Sequence, residues 1–84
     1  MDNFHVYEHL GTRVWQHVSA PVWVREYTGQ DIYTPTRYGA YKSIERVPEG
    51  HKPWTVNNVR VAPMATNLQA ALNAAIEAAE EFEC

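Results

Sequence analysis

Apolar residues return along this chain in two rhythms. Between Phe4 and Val61 they alternate with polar residues in short runs, and from Thr66 to Phe82 they recur every three or four positions. The second rhythm is the clearer one. Leu68, Ala71, Leu72, Ala75, Ile76, Ala79 and Phe82 form one stripe of an amphipathic helix. Thr66, with Gln69 three residues later, has the spacing of a capping box, in which each side chain satisfies an orphan backbone N–H. Alanine and leucine are strong helix formers, and no Gly or Pro interrupts the run. The spacing predicts a helix over 66–83.

The alternating part predicts strands. Phe4, Val6 and Glu8 share one face, Leu10-Gly11 is a turn, and Val14 opposes Arg13, Trp15 and His17, so the first segment reads as a hairpin. Phe4, Tyr7, Val14 and Val18 also fit a helical face, and the β-branched and aromatic content favours the strands. Val22 and Val24 point one way, and Trp23, Arg25 and Tyr27 the other. Thr28 to Asp31 is turn chemistry, Ile32-Tyr33 can add a short strand, and Thr34-Pro35-Thr36 is a loop. From Arg37 to Val47, Tyr38, Ala40 and Lys42 alternate with Gly39, Tyr41 and Ser43. Neither set is cleanly apolar, which suits an edge strand or an open face. Pro48 to Pro53 is a loop. Trp54-Thr55-Val56 and Val59-Arg60-Val61 flank Asn57-Asn58, two residues that tolerate the positive φ of a tight hairpin turn. The expected fold is α+β: an antiparallel meander of four to five strands with one C-terminal helix packed on one face. It is a single domain over 1–84, with the sheet at 4–61.

The ending Trp54-x-Val56, Val59-x-Val61, Leu68-x-x-Ala71-Leu72-x-x-Ala75 resembles the strand–turn–strand–helix termini of short bacterial and bacteriophage proteins of unassigned function. The resemblance covers residues 54–80. It implies a small α+β module, often from a mobile element, and carries no catalytic residue to transfer.

Composition narrows the function. At 84 residues, 45% hydrophobic and 20% charged, the chain is that of one globular domain. It has no apolar run of about 18 residues, so no membrane span is expected. The segment from Met1 to His5 lacks the basic and apolar parts of a signal peptide, which points to the cytoplasm. Cys84 is the single cysteine, so no internal disulfide can form. The net charge of −3 is unevenly spread: residues 1–65 carry seven basic and six acidic side chains, and residues 66–84 carry four acidic and none basic. Neither part has the basic excess of a protein that neutralises many phosphates.

Motifs for catalysis are missing. His5, His9, His17 and His51 give no zinc-ligand spacing, so no metal is expected. Ser19 and Ser43 sit in no nucleophile elbow, and the four glycines make no phosphate loop. No cofactor and no enzyme activity are expected. Two surfaces are candidates for binding. Trp23, Arg25, Tyr38 and Tyr41 bring aromatic and basic groups to the middle of the chain, residue types that anchor protein interfaces. Glu77, Glu80 and Glu81 crowd the helix C-terminus against its macrodipole, which a basic partner would relieve. The leading expectation is an inhibitor or accessory factor from a mobile element that binds a host protein, such as a defence or nucleic-acid-processing complex. The alternatives are a single-strand nucleic-acid module using the aromatic face, and a homo-oligomer built on the Ala70, Ala74, Ala78 stripe.

Overall fold

The computed structural model describes residues 3–28, 33 and 35–82. Five strands, β1 (Phe4–His9), β2 (Thr12–His17), β3 (Val22–Tyr27), β4 (Arg37–Ser43) and β5 (Asn58–Arg60), form one antiparallel sheet in the order β1-β2-β3-β4-β5. One helix, α1 (Leu68–Phe82), follows. This is the expected α+β meander with a C-terminal helix. The turn residues 29–32, Ile32 of the expected short strand, Glu83 and Cys84 lie outside the described residues.

The alternation seen in the sequence becomes two sheet faces. Pairing sets Val6 opposite Trp15, Trp15 opposite Val24, and Val24 opposite Ala40, so these positions share one face. Phe4, Trp15, Val22, Val24 and Ala40 on that face make the core with Ala71, Leu72, Ala75, Ala78 and Ala79 of α1. The sheet-facing side of α1 is mostly alanine, and small side chains let a helix lie close over the strands. Trp15 fills the remaining space and meets Tyr38 edge-on at 6.0 Å. Full burial of Leu72 contributes roughly 2–3 kcal/mol. The helix covers β4 and β3 and reaches β2 least, which leaves Val6 of the edge strand β1 exposed.

Three local features depart from the sequence reading. The helix is capped one residue later than expected: Asn67 Oδ1 accepts from Gln69 N at 2.8 Å, its carbonyl accepts from Ala71 N, and the Gln69 side chain donates to Asn73 instead of back to Thr66. The expected strand at 54–56 is a 3-10 turn, Pro53–Thr55. Proline fits the first position of such a turn, and Thr55 donates from both N and Oγ1 to Lys52 O. Finally, the alanine stripe is not a free face. Ala70 is exposed, Ala74 is half-buried, and Ala78 belongs to the chain's own core.

The β1–β2 hairpin closes on Leu10 (φ 52°) and Gly11 (φ 79°), both left-handed, as a two-residue type I′ turn requires. Glycine meets that need without strain, and leucine does not.

Candidate functional site

The second face of the sheet is not covered by α1. By strand parity it carries Tyr7 and His9 from β1, Val14 and Gln16 from β2, and Trp23, Arg25 and Tyr27 from β3. Arg37, Gly39 and Tyr41 from β4, and Asn58 and Arg60 from β5, complete it. No Asp or Glu occupies any of these positions. The loop 44–57 folds its 3-10 turn onto this face. There Trp54 meets Trp23 at 5.9 Å, His9 at 5.6 Å and Tyr7 at 6.0 Å between ring centroids.

Asn58 holds that loop in place. Its Oδ1 accepts from Trp23 Nε1 at 2.8 Å, and its Nδ2 donates to Val56 O at 2.6 Å and Pro53 O at 3.2 Å. Ser43 Oγ adds a bond to Pro53 O at 3.1 Å. The loop ends are pinned by Ile44 N donating to Asn57 O and by Asn57 Nδ2 donating to the Glu45 carboxylate at 2.7 Å. The hydrogen-bonding capacity of one asparagine side chain is spent on aligning Trp54 with Trp23.

The centre of the face is a stack. Tyr41 lies on Trp23 with centroids 4.6 Å apart and an interplanar angle of 22°. Trp23 is 5% exposed and Tyr41 is half-buried, so Tyr41 is the outer ring. Gly39 makes room for it: a Cβ there would stand 2.7 Å from Tyr41 Oη and 2.8 Å from its Cε2. The Tyr41 hydroxyl shares a 2.6 Å hydrogen bond with Tyr27. Burial, with that bond second, pushes the Tyr41 phenol up to about 12, while Arg60 and Arg25 pull it down through their positive charge. In the register, Arg60 on β5 pairs with Tyr41 and Arg25 lies diagonally across on β3.

Among the described residues, no carboxylate forms an ion pair with the cations of this face. Among the described residues, the only lysine or arginine ion pairs are Arg13–Glu26 (2.6 Å), which is on the helix face, and Lys42–Glu81 (4.0 Å), which bridges to α1. Arg25, Arg37, Lys52 and Arg60 take part in neither. Arg25 stacks toward Trp23 with Cζ 5.6 Å from the ring, and its Nε is buried without a hydrogen-bond partner among the described residues. Lys52 Nζ lies 4.0 Å over the Tyr7 ring.

Of the residues expected from sequence to bind a partner, Trp23, Arg25 and Tyr41 come together here. Tyr38 does not: it pairs with Glu26 on the helix face and packs on Trp15. Glu77, Glu80 and Glu81 lie on α1, behind the sheet. Tyr7, Tyr27, Lys52, Trp54 and Arg60 were missed. The strand parity of Tyr27 and Arg60 pointed to this face, whereas Trp54 and Lys52 reach it only through the loop fold.

A contact elsewhere imitates a catalytic pair. Ser19 Oγ is 3.3 Å from His17 Nδ1, but Nδ1 already accepts from the backbone N–H of Ser19 (3.1 Å) and Ala20 (3.2 Å). That nitrogen caps the β2–β3 turn, and taking a serine proton would break both bonds. Among the described residues, no three His, Cys, Asp or Glu side chains cluster as metal ligands would. No helix among them is long and apolar enough to cross a membrane. No family model, curated protein or solved structure matches the chain.

Proposed function

We propose that this protein is a small binding module, not a catalyst, and that its working surface is the open face of the sheet, which receives an anionic partner. One observation carries the reading. Arg25, Arg37, Lys52 and Arg60 stand with Tyr7, Tyr27, Tyr41 and Trp54 on a face without a carboxylate at any strand position, and α1 packs on the other face, its Glu77 and Glu81 meeting Arg60 only at the β5 edge, where the three line one cavity. The net charge of −3 conceals this division. A face of one sign raises the local concentration of an oppositely charged partner even on an acidic protein.

Heparin chromatography at low salt tests it. A uniformly acidic protein would flow through, whereas this face should retain the wild type. Changing the exposed Arg37 and Arg60 to Glu should abolish retention, and Glu77→Gln should leave it in place. Flow-through of the wild type would refute the reading.

A host protein is the second reading, favoured by the residue types of this face, since Tyr, Trp and Arg are the usual anchors of protein interfaces.

A further inference from the structure

Resting on that reading, we infer that the occupant of the open face is a single-stranded nucleic acid, with a base stacked on Tyr41 and phosphates held by the flanking arginines. Four observations converge on it. First, the Trp23–Tyr41 stack (4.6 Å, 22°) ends at the outer ring in a half-exposed aromatic surface, onto which one more flat ring continues the stack. Second, the ring is braced from below by Trp23 and at its hydroxyl by Tyr27, so little freedom remains to be lost on binding. Third, Arg60 pairs directly with Tyr41 on β5 and Arg25 is its diagonal neighbour on β3, so the two arginines flank the strand that carries the ring. Fourth, neither Arg25 nor Arg37 takes part in an ion pair among the described residues, so their charge remains for a partner.

A partner that supplies both a flat ring and oxyanions at short spacing satisfies all four at once. Single strands have this chemistry: each nucleotide brings a π-face and a phosphate, and proteins that bind them without sequence preference pair stacked aromatics with a cationic groove. A duplex keeps its bases stacked on one another and offers no free ring to Tyr41. An acidic peptide supplies the charge without the rings, and an acidic-aromatic peptide would have to match both patterns by its own sequence. Half-buried Trp54, 5.9 Å from Trp23, offers a second ring on the same face, which suits a site of a few nucleotides.

The test is tryptophan fluorescence and anisotropy with an end-labelled eight-nucleotide oligothymidine, its duplex with oligoadenine, and heparin as a base-free polyanion. A saturable quench by the single strand, at least tenfold tighter than the duplex, is expected. With about three phosphates neutralised, affinity should fall on the order of a hundredfold for a tenfold rise in salt. Tyr41→Ala should weaken single-strand binding by about tenfold or more without changing the salt slope. Tyr41→Phe, which keeps the ring, should bind like wild type and guards against misreading a folding defect. Arg60→Ala should lower the salt slope by about 0.7. Equal affinity for duplex and single strand, or insensitivity to Tyr41→Ala, would overturn the inference. Retention on heparin without oligothymidine binding would overturn it and leave the anionic-partner reading standing. Loss of both would remove both.

Discussion

Gly39→Ala tests how the open face is built. The Cβ would point onto the Tyr41 ring, 2.7 Å from Oη and 2.8 Å from Cε2, and would meet Met64 Sδ at 3.0 Å. Ordinary contact begins near 3.4 Å, so the ring end must retreat by roughly 0.7 Å or tilt off Trp23. The φ of Gly39 is not in the left-handed region, so alanine itself adopts the backbone without strain. Crowding a packed site costs about 1–3 kcal/mol. Replacing glycine lowers the entropy of the unfolded chain and returns about 0.4–1 kcal/mol. The moving atoms are the far end of one side chain, so the net loss should be modest, about 1 kcal/mol. The face should change more than the stability. Moving the hydroxyl breaks the 2.6 Å bond to Tyr27, so the Tyr41 phenol should titrate below its wild-type value of about 12. Urea denaturation reads the first effect. Absorbance of phenolate at alkaline pH and near-ultraviolet circular dichroism of the Trp23–Tyr41 stack read the second. A variant as stable as wild type with an unchanged stack signal and an unchanged late-titrating tyrosine would refute the account of Gly39 as the seat of Tyr41.

In the wild type, one tyrosine should titrate near 12; because the folded value is raised, its contribution to stability is complete below about 10 and is lost as pH climbs toward 12, and Tyr41→Phe should abolish the late phase. Asn58→Asp keeps the acceptor for Trp23 Nε1 but turns a carboxylate toward the Val56 and Pro53 carbonyls, and should cost about 2 kcal/mol or more in chemical denaturation while exposing Trp54 to quenchers. Leu10→Asn relieves a left-handed leucine that is 84% exposed and should raise the denaturation midpoint by about 1 kcal/mol. The Arg13 guanidinium holds the Glu26 carboxyl below its ordinary 4.5, so this pair stabilises the fold above that value and the benefit is lost as pH falls through the lowered one. Arg13 is more than half exposed, so the loss should be small, and Arg13→Gln should flatten the fall in stability as the pH drops below 4.5.

Strand parity made most of this architecture legible. Val22 and Val24 against Trp23, Arg25 and Tyr27 gave the two faces of β3, and the same alternation put Tyr38 and Tyr41 on opposite sides of β4. Grouping Tyr38 with Tyr41 ignored that parity. The 3-10 turn at Pro53–Thr55 was hidden because Trp54-Thr55-Val56 has strand composition, and what overrides it is tertiary. Trp54 reaches Tyr7, His9 and Trp23 only by folding back under the sheet, held there by Asn58, whose role in the sequence looked like that of a turn residue. The cap moved from Thr66 to Asn67 because both are good caps and adjacent, and the helix takes the one whose side chain meets Gln69 N. The chemistry of the open face could not be read at all without knowing which side α1 covers, since its members come from five strands and one loop.

That last point changes what the net charge means. Judged from totals, −3 argued against an anionic partner. The helix packs on the face opposite Arg25, Arg37 and Lys52, and its Glu77 and Glu81 reach the sheet's cations at the β5 edge, where they line one cavity with Arg60; screening at physiological salt acts over about 8 Å. On the proposed reading, an anionic partner on the open face would meet Arg25, Arg37 and Lys52 directly, and Arg60 with Glu77 and Glu81 beside it at the β5 edge. The crowding of Glu77, Glu80 and Glu81 at the C-terminal turns of α1, unfavourable for the helix itself, then has an effect at the scale of the molecule. If the proposed partner is correct, this crowding would set up a charge dipole that repels an anionic strand from the helix side and turns the aromatic face toward it. Neutralising those three glutamates should leave the dissociation rate from the open face unchanged and alter only the rate and salt dependence of encounter, because long-range charge acts on approach and short-range contact on release.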